Sequence, residues 1–368
     1  MDQERISFLS LHFIPGVGDF LVKQLVSYCG SAEQVFKTPK GKLLKIPGVG
    51  EVSAEAIKNG KSFHEAELEL LKAEKEGTEI LFFTDKKYPQ RLKSIEDAPS
   101  LLYFKGNHNL NPTKTVGIVG TRQATEYGKL MVEKICRELV PHRPLVISGL
   151  AYGIDIHAHK QALHNGLATI GVMGSGIDII YPAAHKETAR KMIGNGGLLT
   201  ENHFGTKPDA HNFPARNRII AGLCDALIVV EAADKGGALI TADIANSYNK
   251  DVFAVPGNVG SQYSEGCNKL IKTNRANLFN SVKDLEYIMN WTSDSPSEVH
   301  TIEFSSFEPD EQIVLNILMS AKGPMMVDEL SLRSSLPPST LASILLTLEF
   351  KNAVKALPGK MFTLRQQK

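Results

Sequence analysis

The sequence predicts an α/β protein: a parallel sheet core covered by helices, flanked by a helical N-terminal domain and a small C-terminal domain of three helices and a hairpin. Three observations predict it. The pentapeptide IPGVG occurs twice near the N-terminus, each time ahead of a helical pattern. Between residues 77 and 290, continuous apolar runs alternate with helical segments. A polar, Ser-rich stretch then sets off a short run of helical and β-like patterns.

The repeat occupies residues 14–18 and 46–50. Proline followed by Gly-x-Gly between two helices makes a tight turn, as in a helix-hairpin-helix, and two copies form a compact, SAM-like helical domain over residues 1–76. The backbone N–H groups of such turns can hold a phosphate, but the glycines equally let two helices approach closely. Residues 1–76 carry ten basic and eleven acidic side chains, which favours the packing role. Residues 61–75 read as a charged helix.

The domain over residues 77–290 opens a different pattern. TVGIVG (115–120), PLVISGL (144–150), ATIGVMGSG (168–176), GGLLTEN (196–202), DALIVVEA (225–232) and DVFAVPG (251–257) are apolar, β-like runs. Helical segments at 127–140, 155–165 and 239–249 separate some of them. Strands apolar on both sides and alternating with helices predict a parallel sheet covered on both faces. Ligands of such sheets bind at the carboxyl ends of the strands. Residues 291–306 (WTSDSPSEVHTIEFSS) read as a linker. In 307–368, helical patterns at 309–321, 327–334 and 338–351 precede β-like pieces at 353–357 and 361–364 around Pro358-Gly359-Lys360, as in a winged helix. The recognition helix, SSLPPSTLASILLTLEF, has no basic residue to offer base edges. This domain is expected to contact protein or to bind DNA weakly.

Composition narrows the function. The chain has 368 residues, 42% of them hydrophobic, enough for a sizeable core. No apolar run reaches 18 residues, and the N-terminal MDQERISFLS carries two acids, so neither a membrane span nor a signal peptide is expected. The four cysteines, Cys29, Cys136, Cys224 and Cys267, stand far apart without a CxxC, which suits a reducing cytoplasm and argues against zinc. A net charge of +1 excludes a nonspecific nucleic-acid coat, so any DNA affinity must come from a local patch.

The strand ends supply the candidate site. The first ends in Gly120-Thr121-Arg122: a glycine at the turn, a hydroxyl, and a guanidinium fork that suits a phosphate. It is not GxGxxG, so no dinucleotide cofactor is indicated, and none of any kind is expected. The second ends in Ser148-Gly149-Leu150-Ala151-Tyr152-Gly153, with Asp155 placed as an N-cap. The third ends in Gly174-Ser175-Gly176, and the fifth is followed by Lys235-Gly236-Gly237-Ala238 at the start of a helix carrying Thr241. Arg216 and Arg218 alternate with apolar residues in FPARNRII (213–220) and cannot point the same way on a helix. One is expected to face the ligand edge and the other an internal carboxylate; the sequence leaves open which.

Together these segments resemble the DNA-processing protein A family (DprA, also called Smf). GTRQATEYG (120–128) is similar to its Gly-Ser/Thr-Arg motif, SGLAYGIDIHAHKQAL (148–163) to its SGLARGID segment, and VMGSGIDIIYP, FPARNRIIAGL and FAVPGN follow in order. YPQRLKSIEDAPSLLYFKG (88–106) and the helical first domain also match. The resemblance implies an extended Rossmann-like fold that binds single-stranded DNA in a positive pocket and dimerises through that domain. It implies protection of incoming strands in natural transformation and their delivery to the recombinase RecA. It maps the motif's arginine onto Arg122, and a DNA-contacting lysine after Tyr-Pro onto Lys186. Three departures stand out: Tyr152 replaces an arginine, Gly236-Gly237-Ala238-Leu239 replaces Ser-Gly-Ser-Leu, and Arg275-Ala276 replaces Gly-Ala. Tyr152 offers stacking on a base instead. Residues 268–278 read as a late surface element for a homodimer.

Two other readings are weaker. Asp155-x-His157-x-His159 looks like a metal cluster, but on a helix the two histidines point about 200° apart, so no metal is expected; His159 is expected to bond a backbone group. Phosphoribohydrolases share a related core, and Gly236-Gly237 with Asp243 stand where their glycine pair and acid would. Their proline, glycine-threonine and glutamate are absent, so no catalytic residue and no turnover are expected.

Overall fold

A computed structural model describes residues 2–291, 307–321, 325–351, 353–357 and 361–364. The chain forms two compact units, Met1–Asp294 and Ser295–Lys368. Most of the linker reading (292–306) and the turn at 358–360 lie outside the described residues.

Six helices open the first unit: α1 (Gln3–His12), α2 (Asp19–Cys29), α3 (Ala32–Lys37), α4 (Lys40–Leu43), α5 (Glu51–Asn59) and α6 (Phe63–Lys75). Each IPGVG forms the turn into the next helix, with Gly16 and Gly48 at φ +81° and +84°, a region glycine enters without steric cost. The isoleucine and valine of both repeats are buried, and this core continues onto Phe82, Tyr103 and Leu198 of the sheet.

Nine strands follow: β1 (Glu79–Phe82), β2 (Leu101–Gly106), β3 (Thr115–Val119), β4 (Leu145–Ser148), β5 (Thr169–Val172), β6 (Gly196–Thr200), β7 (Ala226–Val229), β8 (Asp251–Ala254) and β9 (Asn277–Leu278). Their order is β1-β2-β6-β5-β4-β3-β7-β8-β9. β3 to β9 run parallel, and β1 and β2 pair antiparallel at one edge. The six strands read from the apolar runs are all present, in an extended Rossmann-like sheet. The antiparallel pair is not among the apolar runs of the sequence: β1 is only four residues long, and a helix of four residues, Gln90–Lys93, stands between it and β2. Helices α7 (Gln90–Lys93), α8 (Glu126–Glu138), α9 (Ile154–His164), α10 (Lys186–Gly194), α11 (Asn212–Leu223), α12 (Gly237–Ser247), α13 (Glu265–Lys272) and α14 (Val282–Met289) accompany the strands. Two further apolar cores include residues of both sheet and helices.

The second unit holds α15 (Pro309–Ser320), β10 (Met325–Met326), α16 (Val327–Ser334), α17 (Pro338–Phe350), β11 (Val354–Leu357) and β12 (Met361–Leu364). Its small sheet has the order β10-β12-β11, and Val314, Leu330, Leu341 and Leu348 are in its core. Leu346 and Phe350 of α17 are 56% and 79% exposed. Among the described residues, no helix is long and apolar enough to cross a membrane.

Candidate functional site

The strand order reverses between β3 and β7, so the loops leaving their carboxyl ends diverge and open a crevice. A cavity of about 660 Å³ lies there. From β3 it is lined by Gly120, Thr121 and Arg122, and from β7 by Lys235, Gly236 and Gly237. Phe213, Arg216, Asn217 and Ile220 line it from α11. These four fall at i, i+3, i+4 and i+7, one face of a helix. Tyr181 completes the wall, its ring centroid 5.9 Å from that of Phe213.

The β3 turn is built tightly. A Cβ on Gly120 would meet Ile154 at 2.5 Å. The Thr121 N–H donates to the Glu231 carbonyl at 2.7 Å. The buried Glu231 carboxylate accepts from the N–H and hydroxyl of Thr125, while the Thr125 hydroxyl caps α8 by accepting from the Gly128 N–H. Arg122 is thereby held at the rim, exposed, its guanidinium 5.6 Å from the Phe213 ring centroid. Across the cleft Lys235 is also exposed, and neither cation has a carboxylate partner among the described residues. Gly236, the N-cap of α12, brings no side chain to cap the helix, so the positive end of its dipole lies at the cleft. A Cβ on Gly236 or Gly237 would meet nothing within 4 Å, so the backbone there is open to a ligand.

The floor is charged but buried. Arg216 is 4% exposed, and its Nη1 donates to the carbonyls of Gly149 and Val172, tying β4 to β5. Burial lowers its pKa to about 10, which leaves it charged at neutral pH, and Asp155 opposes the shift. Burial in turn raises the Asp155 pKa, while Arg216 and the backbone N–H groups of Ala151 and Gly149 pull it back. Asp155 is not the N-cap expected from the sequence. Gly153 holds that position, and the Asp155 carboxylate turns inward to accept from Gly149 at 3.1 Å. His159 donates to or accepts from the Thr169 hydroxyl at 2.7 Å, not a backbone group as expected. Burial drops its pKa to about 3, so it is neutral here.

The remaining candidates do not line the cleft. The Ser148 hydroxyl donates to the Ile118 carbonyl, bracing β4 against β3, and the Ser175 hydroxyl donates to that of Ile179 within the loop after β5. Gly149 leaves the space that the Arg216 guanidinium fills, and a Cβ on Gly174 would stand 3.1 Å from Phe213. Arg218 points away from the cleft. It pairs with Glu201, donates to the Asp97 carbonyl and lies 3.5 Å from Asp19. Arg218 makes the direct ion pair with an internal carboxylate, while Arg216, beside the buried Asp155, lines the cleft. Tyr152 and Lys186 are exposed beyond the cleft lining. Asp243, suspected as an acid, pairs with Arg275 and does not line the cavity. Within 268–278, Leu270 is buried and Leu278 is 44% exposed. Sequence reasoning passed over Phe213 and Tyr181. The helical spacing of 213, 216, 217 and 220 would have found Phe213; Tyr181 belongs to the Tyr-Pro step that places Lys186, but nothing in the sequence singles out its ring.

Comparison with known proteins agrees with this architecture. A family model described as DNA recombination-mediator protein A matches residues 79–290, and one described as the DprA winged helix domain matches residues 296–360. Protein Smf of Synechocystis is 36% identical over 274 residues, 73% of this chain and 69% of that protein. Protein Smf of Escherichia coli is 34% identical over 288 residues, 76% of this chain and 75% of the relative. The X-ray structure of DNA processing protein A from Streptococcus pneumoniae superposes with a TM-score of 0.64 at 33% identity, covering 78% of this chain and 98% of that one. A solved structure of Helicobacter pylori DNA processing protein A, described for its single-stranded DNA binding mode, gives 0.53 at 28% identity over 58% of this chain and 95% of that one.

Proposed function

The chain belongs to the DNA recombination-mediator protein A family, and from that premise we propose that its cleft binds single-stranded DNA without covalent chemistry. The observation that carries this is the combination at the β3–β7 crevice: two exposed cations, an open helix N-terminus and an aromatic wall. Arg122 and Lys235 meet backbone phosphates from opposite sides, and α12 adds its amide dipole. Phe213 and Tyr181 stack on an unpaired base, which a duplex keeps inside its stack.

Among the described residues, Asp155 is the one carboxylate lining the cavity, and it is committed to backbone N–H groups and to Arg216. That leaves no acid poised to hydrolyse a nucleotide. Family resemblance extends the reading to a cytoplasmic homodimer joined through the sheet domain, which protects incoming strands and passes them to RecA.

A competition assay by fluorescence anisotropy tests it. Unlabelled single strands are expected to displace a labelled single strand far better than duplex of the same sequence, with affinity falling as salt rises. Equal competition by duplex, or release of free base from adenosine monophosphate, overturns the reading. Sedimentation and a RecA filament-assembly assay check the dimer and the hand-over.

A further inference from the structure

The loop after β4 carries a half-exposed aromatic ring that the cleft lining does not include. Tyr152 is 50% exposed, and His185 meets its ring at 4.9 Å between centroids, tilted by 72°. The loop beneath it is held rigidly. Leu150, a buried non-glycine residue, sits in the left-handed region at φ 57°. Single residues held there are strained, and such strain concentrates at ligand sites. Its carbonyl is 2.8 Å from Nδ1 of the buried His185. Gly153, at φ +77°, presses on the β3 turn: a Cβ there would stand 2.2 Å from the Thr121 carbonyl and 2.7 Å from Cα of Arg122. Tyr152 is thus bounded on one side by Ala151, which lines the cleft, and on the other by a residue packed on Arg122.

We propose that Tyr152, backed by His185, is a second base-stacking subsite, which takes the nucleobase next to the one stacked on the Phe213–Tyr181 wall. Three features carry it: the ring is large and partly open, its loop includes the strained Leu150, and the next residue, Gly153, packs on the backbone of the arginine that would hold the intervening phosphate. A buried His185 edge on one side pre-orients the ring, so little rotamer freedom is lost when a base lands on it. Stacking of this kind discriminates by the area of the π-face, so the subsite favours purines over pyrimidines and reads no hydrogen-bonding edge.

The inference rests on the cleft reading, and an abasic scan separates the two. A labelled single strand with one abasic position, moved stepwise along it, is titrated with the full chain. Two adjacent positions are expected to weaken binding, one belonging to each subsite, each by about tenfold. Tyr152→Ala, checked by thermal melting for an unchanged fold, should bind the intact strand about tenfold more weakly. It should also abolish the abasic penalty at one position only, and Tyr152→Phe should restore that penalty. If Arg122→Ala weakens binding while Tyr152→Ala leaves the scan unaltered, the second subsite is wrong and the cleft stands. If neither substitution alters binding, the cleft reading falls and takes the subsite with it.

Discussion

The floor of the cleft and its rim are both charged, yet their charges serve opposite ends. On the floor, Arg216 and Asp155 are 4% and 7% exposed, and they spend their hydrogen bonds on strand-end carbonyls and amides. At the rim, Arg122 and Lys235 are exposed and have no carboxylate partner among the described residues. A buried charge cannot be left unpaired, so it is fixed by its neighbours and becomes part of the scaffold. An exposed charge costs little to leave unpaired, so it remains available for a phosphate. Charge alone therefore does not mark a binding residue; the proposed binding role falls to charge that the fold has not already consumed.

The largest effect should come from the floor. Arg216→Met strips Asp155 of its countercharge and two carbonyls of their donor, a loss of about 3–5 kcal/mol. Thermal melting and DNA affinity should fall together; a variant that melts like the parent would erase the distinction between floor and rim. Arg122→Ala should do the reverse. Melting should be unchanged, while binding weakens by about 1.5–3 kcal/mol in an anisotropy titration near physiological salt.

A pH experiment sharpens the same contrast. His159 has its pKa pulled down by burial to about 3, against the ordinary 6.5, so the unfolded chain binds more protons between those values. Its contribution to stability is complete above pH 6.5 and is lost as pH falls through that window, by up to about 1.4 kcal/mol per unit. His159→Gln should flatten the fall in denaturant midpoint between pH 6.5 and 4 relative to the parent. An undiminished slope would mean that His159 is not the group responsible. The smallest effect belongs to the rim. Lys235→Ala should weaken DNA binding evenly across sequences and reduce the salt slope by about one unit, read from titrations at several salt concentrations.

Much of this site is legible in the sequence. Gly120-Thr121-Arg122 and Lys235-Gly236-Gly237 stand at strand ends because apolar runs identify the strands and glycines mark where they stop. Ser148, Gly149, Gly174 and Ser175 look the same in sequence, but the topology opens the sheet edge between β3 and β7, away from the ends of β4 and β5. A glycine that leaves room for a ligand and one that leaves room for an arginine, as Gly149 does for Arg216, cannot be told apart from the chain alone.

The repeated turn divides what the sequence determined from what it left to the fold. IPGVG specifies the same local geometry twice, because a positive φ is cheap only for glycine and the requirement is local. The two copies are used differently. After the first, Asp19 accepts from the N–H of Ser100 at 2.7 Å and lies 3.5 Å from Arg218, docking the helical region on the sheet. After the second, Glu51 pairs with Lys40 within the helical region and Val52 is 81% exposed. Helical periodicity likewise set Arg216 and Arg218 on different sides of α11, but only packing decided that Glu201 would claim Arg218 and leave Arg216 to the cleft. Backbone geometry depends on neighbours along the chain, whereas the partner of a side chain depends on which distant segments the core brings beside it.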